Sequence, residues 1–438
     1  MTKGDIAKQI LTFSLPLFLG NIFQQFYNMA DTWVLGNFAS NEAFSAVGTL
    51  GSVTNLLIGL FWGLSSGASV VISRFFGARK YEDVNKASHT LILSTLILGI
   101  IFTLLFLPMI PMFLKFIKMP SEAYNDAYTY LKIYIIGLTG LVIYNASSSI
   151  LRAIGDSVKP FLFLVLSTVI NVVLDCILVI KFNMGSMGVA YATVIAEALS
   201  ALCSLIVLFK TDSPVKLSFK KMRIDFDIME SIIRIGIPTG LQMFLVAFSN
   251  IFVQSYINYF GTDCMAGWAA YSKLDSLLLL PIQSIALAVM TFTGQNLGAD
   301  NLKRAKEGVK KALIINISIT LILLIPLNLF TEQLVSFFNS KEEVIYYGST
   351  FIRYISPFYL SPAIHNVLTK AVNGSGESRV TMILSIFSFI IVRQIYLYII
   401  ANYLGNSFIL IGLGYPFGWL SLTTLSIIYY LKYSVFRN

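Results

Sequence analysis

Charge is what this sequence has least of. Asp, Glu, Lys and Arg make up only 12% of its 438 residues, against about 25% in a soluble protein. So few charges cannot cover a surface facing water, which excludes soluble α/β folds with buried helices. There are 3 cysteines and 2 histidines. Cys176, Cys203 and Cys264 are scattered, the first two inside apolar runs, so no disulfide framework or metal-ligand spacing is visible. His89 and His365 stand far apart in sequence. No GxxxxGK[ST] phosphate loop occurs, so ATP hydrolysis by this chain is not expected. No hydrolase, metalloenzyme or nucleophile–base pattern appears, so neither enzyme chemistry nor a bound cofactor is expected.

Apolar residues reach 56% and mean hydropathy is +0.76. Long apolar runs mark an all-α polytopic membrane protein. Twelve spans are expected, at 10–37, 44–73, 88–113, 122–149, 159–182, 187–210, 228–259, 266–292, 309–330, 343–370, 378–402 and 408–432. The first nine residues are short and polar, and no small-residue cleavage site follows, so the first span reads as an uncleaved helix. With the N-terminus inside, 23 of the 31 Lys and Arg fall on that side, from Lys3 and Arg79 to Lys432 and Arg437. The outer side has Lys115, Lys118, Lys181 and Lys341. This bias predicts cytoplasmic termini in a cell membrane. It also accounts for the net charge of +9 without nucleic acid.

The chain repeats itself. Pro16 in ILTFSLPLFLGN answers Pro238 in IRIGIPTGLQ. FFGARKYEDVNKA (Phe75 to Ala87) answers GQNLGADNLKRAKEG (Gly294 to Gly308). LRAIGDS (Leu151 to Ser157) answers VNGSGES (Val372 to Ser378), and Asn145 answers Asn366. The offset holds at 221 or 222 residues. It predicts two pseudo-symmetric six-helix bundles, 1–209 and 228–438, joined by a cytoplasmic linker at 210–227. An even number of spans inserts both halves in the same orientation, so their axis should lie along the membrane normal. Two such bundles should leave a cleft between them.

The stretch Asn21 to Gly36, NIFQQFYNMADTWVLG, is polar inside an apolar run. Gln24, Asn28 and Asp31 fall on one helical face at i, i+4 and i+7. A carboxylate in hydrocarbon costs at least ~2.5 kcal/mol even on lenient scales, so Asp31 needs partners, water or an ion. The fifth span carries Asn171 and Asp175 at i, i+4, and the sixth carries Thr193 and Glu197. In an antiparallel hairpin turning near 184, Asp175 sits level with Thr193, and Asn171 with Glu197. Asp31, Asp175 and Thr193 should therefore share one depth in the outer half of the N-terminal bundle. Two carboxylates, an amide and a hydroxyl there can ligate a hard cation such as Na⁺. Alternatively, one carboxyl can carry a proton, because burial and a second carboxylate disfavour the doubly charged state. The competing structural reading is an interhelical hydrogen-bond cluster. Yet two acids together stabilise nothing without a cation or proton.

The second half differs. Its first span has Gln242, Asn250 and Gln254 but no acid, and its fourth has His365 and Asn366 but no acid. Lys273 and Asp275, at i, i+2, point apart. Lys273 is close enough to the outer end to snorkel. Arg393 is deep enough to meet an acid or an anionic group, and His365 reads as a hydrogen-bonded packing residue. Aromatics are 14% of the chain, and an aromatic cleft with few charges suits flat organic cations.

These features resemble the multidrug and toxic-compound extrusion (MATE) family over essentially the whole chain. The resemblance rests on the twelve spans, Pro16 and Asp31, RAIGD at Arg152 to Asp156, and GQNLGA at Gly294 to Ala299. The spacing is most similar to the DinF-type branch, whose cation site this resemblance maps to Asp31, Asn171, Asp175 and Thr193. It also implies that the first helix bends at Pro16. The carboxylates that the NorM-type branch carries on its seventh and tenth helices are missing here. The expected function is a cation-coupled (H⁺ or Na⁺) antiporter, working as a monomer, that exports amphipathic, often cationic, organic compounds by alternating access. Gln24, Asn28, Glu197 and Asn145 are candidate lining residues. The rival readings are a flippase for a lipid-linked precursor, for which Arg393, Lys273 and His365 are the only hints, and a passive solute channel.

Overall fold

The computed structural model describes residues 1–405 and 407–436, with the side chains of 52, 53, 55–57 and 60 outside the description; Arg437, counted above among the inner charges, lies outside it too. Among the described residues the chain is helical, without strands. Twelve long segments follow one another: α1 Ile6–Phe38, α2 Asn41–Gly77, α3 Tyr81–Phe106, α4 Tyr124–Ala153, α5 Val158–Lys181 and α6 Gly185–Lys210. After the linker come α7 Phe226–Asn258, α8 Thr262–Gly298, α9 Leu302–Leu329, α10, α11 Ser378–Tyr403 and α12 Phe408–Lys432. Span α10 is the pair Glu342–Ile355 and Leu360–Gly374 around a 3₁₀ turn, Ser356–Phe358. Among the described residues, ten of these segments each hold an apolar run long enough to cross a bilayer.

The spans lie where hydropathy puts them, with ends that differ. Expected 88–113 is in fact α3, Tyr81–Phe106. It starts early because Tyr81, Glu82, Asp83 and Lys86 form a polar but helical turn, with a Lys86–Glu82 ion pair at 3.0 Å. It ends before Pro108, which has no N–H to continue the ladder, and the short helix Ile110–Phe116 follows. Expected 343–370 is broken by the turn that holds Pro357.

The repeat is also visible in backbone geometry. Arg79 and Asp300, 221 residues apart, both adopt a left-handed φ (56° and 55°), as do Gly155 and Gly376 (98° and 90°). At the second pair the Asp156 N–H donates to the Leu151 carbonyl at 3.0 Å, and the Glu377 N–H to the Val372 carbonyl at 3.2 Å. Both are the same helix-ending turn.

Contacts group the chain into two compact units, Leu15–Gly240 and Met1–Ser14 with Leu241–Asn438. In the first, the start of α7 belongs with α2 because glycines let the two backbones touch. A Cβ on Gly67 would stand 2.5 Å from the Ile232 carbonyl oxygen, and one on Gly63 2.6 Å from that of Gly236; small residues four apart allow this approach in a membrane. Helix α4 runs through the middle, burying Leu131, Ile135, Leu138 and Val142. The linker is pinned to α3: Asn85 Nδ2 donates to the Lys216 carbonyl at 2.7 Å, and the Ser218 N–H donates to His89 Nε2 at 2.9 Å. In the second unit, Trp268, Tyr271, Phe351, Tyr359 and Trp419 form an aromatic core. There Arg304 Nη2 ties the chain start to α9 by donating to the Gly4 carbonyl at 2.8 Å.

Candidate functional site

Helix α5 is amphipathic in the inverted sense. It buries Ser167, Thr168, Asn171 and Asp175 and exposes Leu162, Leu166, Val169 and Val173. In hydrocarbon, that pattern turns the polar stripe toward the protein. The α-helical ladder of α5 ends at Asp175 and continues as a π turn, Cys176–Lys181; such turns recur at functional sites. Asn171 and Asp175 are fully buried, and Thr193 on α6 is 5% exposed.

From α1, Asp31 reaches this stripe. Its carboxyl interacts with the side chains of Asp175, Asn171 and Tyr27. Even so, Asp31 Oδ1, both Asp175 carboxyl oxygens and both polar atoms of Asn171 are buried without a well-formed hydrogen bond among the described residues. Tyr27 Oη donates to Thr193 Oγ1 at 2.9 Å, which ties Thr193 to the turn of α1 preceding Asp31. Tyr130 of α4 lies within electrostatic reach of both Asp31 and Asp175, and its ring stacks on Tyr134 with centroids 6.0 Å apart. One further shell of the site is a small cavity lined by Tyr134, Leu141, Thr193 and Glu197; Glu197 Oε2 is buried there without a partner among the described residues.

The other candidates are placed differently. Gln24 and Asn28 are exposed. Asn145 Nδ2 donates to the Leu141 carbonyl at 3.0 Å on its own helix, as its counterpart Asn366 does to Pro362 at 2.9 Å. Pro16 sits inside α1, which runs unbroken across it. The reading of the sequence passed over Tyr27, Tyr130 and Tyr134. Their signals were spacings of four, Tyr27 to Asp31 and Tyr130 to Tyr134.

Two buried carboxyls brought together with only the neutral side chains of Asn171 and Tyr27 beside them call for positive charge. At an effective dielectric of 20, two unit charges 4 Å apart interact by about 4 kcal/mol. The donors here are oxygens, which suit a proton or a hard cation. Among the described residues no group of three or more His, Cys, Asp or Glu forms a metal cluster.

The unit Leu241–Asn438 has its own buried polar group. Arg393 on α11 is its largest fully buried side chain, 1% exposed. Nη1 donates to Asn250 Oδ1 on α7 at 2.8 Å, and the guanidinium lies over the rings of Phe389 (4.6 Å) and Tyr415 (5.1 Å). Asp275 is engaged elsewhere, accepting from Tyr359 Oη at 2.5 Å. His365 meets Thr423 Oγ1 at 3.3 Å, and Lys273 is exposed.

A long-helix fold with polar stripes turned inward is that of a multi-pass membrane protein. Comparison with known proteins gives the family. The family model described as MatE matches residues 16–177 and again 238–399. A probable multidrug resistance protein of Bacillus subtilis, YpnP, is 28% identical over 416 residues, covering 95% of this chain and 93% of the relative. A transporter of the MOP superfamily from Pyrococcus furiosus, whose binding pocket is described as of reverse polarity and as suggesting a different function, superposes with a TM-score of 0.90. It is 27% identical and covers 98% of this chain and 95% of that one. An outward-facing multidrug resistance MATE transporter gives a TM-score of 0.90 at 26% identity, over 97% and 94% of the two chains. The chain belongs to the MatE family, a family of multidrug efflux transporters. The two matches stand 222 residues apart at both ends. At that offset Asn171 corresponds to Arg393, Asn28 to Asn250 and Asp31 to Val253.

Proposed function

We propose that the protein is a cation-coupled secondary antiporter that exports amphipathic, often cationic, organic compounds by alternating access. One observation carries this reading: acids from two helices, Asp31 and Asp175, meet, with Asp31 Oδ1 and both Asp175 oxygens buried and without a well-formed hydrogen bond among the described residues. Such a pair is stable only with a proton or cation between the carboxyls, so its charge state can follow an ion gradient. Asp31, Asn171, Asp175 and Thr193 form the coupling site, and H⁺ or Na⁺ is the coupling ion. Tyr27 ties Thr193 to the α1 turn before Asp31, and Pro16 is where α1 bends as the ion enters and leaves. Gln24, Asn28, Glu197 and Asn145 are secondary polar lining.

In this reading the repeats 1–209 and 228–438 are the two working bundles, with 210–227 as cytoplasmic linker. The protein works as a monomer in the cell membrane, both termini are cytoplasmic, and no nucleic acid or cofactor takes part. The flippase alternative is weaker, since His365 is hydrogen-bonded and Lys273 is exposed, leaving Arg393 alone of its three cationic groups. The test is dye transport in proteoliposomes with pH and Na⁺ gradients imposed independently. Wild type should accumulate dye against its gradient under one of them. Asp31→Asn should lower that rate more than tenfold while remaining folded and inserted. Wild-type transport by Asp31→Asn, or transport that never runs uphill, would overturn the proposal.

A further inference from the structure

Arg393 is a buried charge that the coupling mechanism does not use. A guanidinium has five N–H donors. Nη1 is engaged by Asn250, but Nε and Nη2 are buried and lack a hydrogen-bond partner among the described residues. These two nitrogens form the side-on edge of the guanidinium, whose parallel N–H bonds match the two oxygens of a carboxylate or phosphate. The rest of the group is already held. Asn250 fixes one end, and Phe389 and Tyr415 lie against its faces at 4.6 and 5.1 Å. Glycine at 418 lets α12 pack close to this edge, since a Cβ there would stand 2.8 Å from the Phe389 ring and 3.4 Å from Nε. A charge buried with its bidentate edge unpaired is among the most costly arrangements in a protein interior. It becomes favourable when an anion supplies the missing acceptors.

We propose that Arg393, steadied by Asn250, Phe389 and Tyr415, binds the carboxylate or phosphate group of a ligand within the Leu241–Asn438 unit. Either a free anion or the headgroup of an amphiphile supplies that chemistry. The site is separate from Asp31 and Asp175 and does not depend on the ion coupling proposed there.

The experiment is a titration of the full-length protein in lipid nanodiscs, by calorimetry and thermal shift, with octyl phosphate, 1-octanol and inorganic phosphate. Wild type should bind octyl phosphate at least tenfold more tightly than octanol. Arg393→Gln should bind the two alike, and Arg393→Lys, which keeps the charge but not the fork, should fall between. Binding of inorganic phosphate alone supports the site and assigns it to a free anion, whereas binding of octyl phosphate only assigns it to an amphiphile. Equal affinity of wild type for octyl phosphate and octanol overturns the proposal, and that comparison needs no variant to fold. An undiminished preference in folded Arg393→Gln overturns it as well.

Discussion

The first and fifth helices of each repeat meet at a buried polar contact, and the two contacts have opposite charge. Between α1 and α5, Asp31 joins Asn171 and Asp175, and nothing cationic is built in. Between α7 and α11, Arg393 takes the place of Asn171 and is bonded to Asn250, while the position of Asp31 holds Val253, fully buried. One contact therefore lacks a cation and the other carries one covalently. Only the first can gain or lose positive charge by exchange with water, so in the proposed mechanism only the first half senses the ion gradient. The second half keeps a fixed charge and offers its unpaired edge to an anion. The family model's double match puts the same helix crossing in each repeat, and in the two proposals a few differing residues give the crossings different roles.

The sharpest way to break this comparison is to move the resident cation across the repeat. Asn171→Arg places a guanidinium beside the two acids and should satisfy them permanently. The expected outcome is the largest of the series: ion-driven transport falls more than tenfold and its dependence on pH and Na⁺ disappears, while the melting temperature is kept or rises. Retained ion dependence in this variant would mean that the acid pair is not where coupling occurs. The converse exchange is Val253→Asp, nearly isosteric, one turn beyond Asn250 on the same helical face. It offers Arg393 an internal carboxylate. Affinity for octyl phosphate should then drop about tenfold in the nanodisc titration, whereas unchanged affinity would separate Val253 from the anion site.

How much of this was legible beforehand differs between the two contacts. The Asn171–Asp175 stripe stood out because i, i+4 polar groups in an apolar span have few explanations. Helix ends were less legible. Hydropathy marks the hydrocarbon layer, while the ladder of α3 continues through the polar turn at Tyr81–Lys86. The Arg393–Asn250 contact was missed because a buried arginine invites a search for an acid. Its partner is an amide 143 residues away. Tyr27 and Tyr130 went unnoticed for a statistical reason: in a chain that is 14% aromatic, a tyrosine in a span is not conspicuous until its hydroxyl is located.

Tyr27 supplies the finest test of the comparison. At the α7–α11 contact, Asn250 positions a charge that never leaves. At the α1–α5 contact, Tyr27 Oη donates to Thr193 at 2.9 Å and, in the proposed mechanism, positions a ligand for a charge that does leave. Tyr27→Phe removes that hydroxyl with little change in shape. A hydrogen bond of this kind contributes about 0.5–1.5 kcal/mol net, or roughly twofold to tenfold in an equilibrium constant. The half-saturating concentration of the coupling cation should therefore rise by that factor, with the maximal rate of dye transport nearly unchanged. A merely structural role would lower the melting temperature and leave cation affinity alone. If affinity stays fixed, Thr193 does not act as a ligand, and the site contracts to the two acids and Asn171.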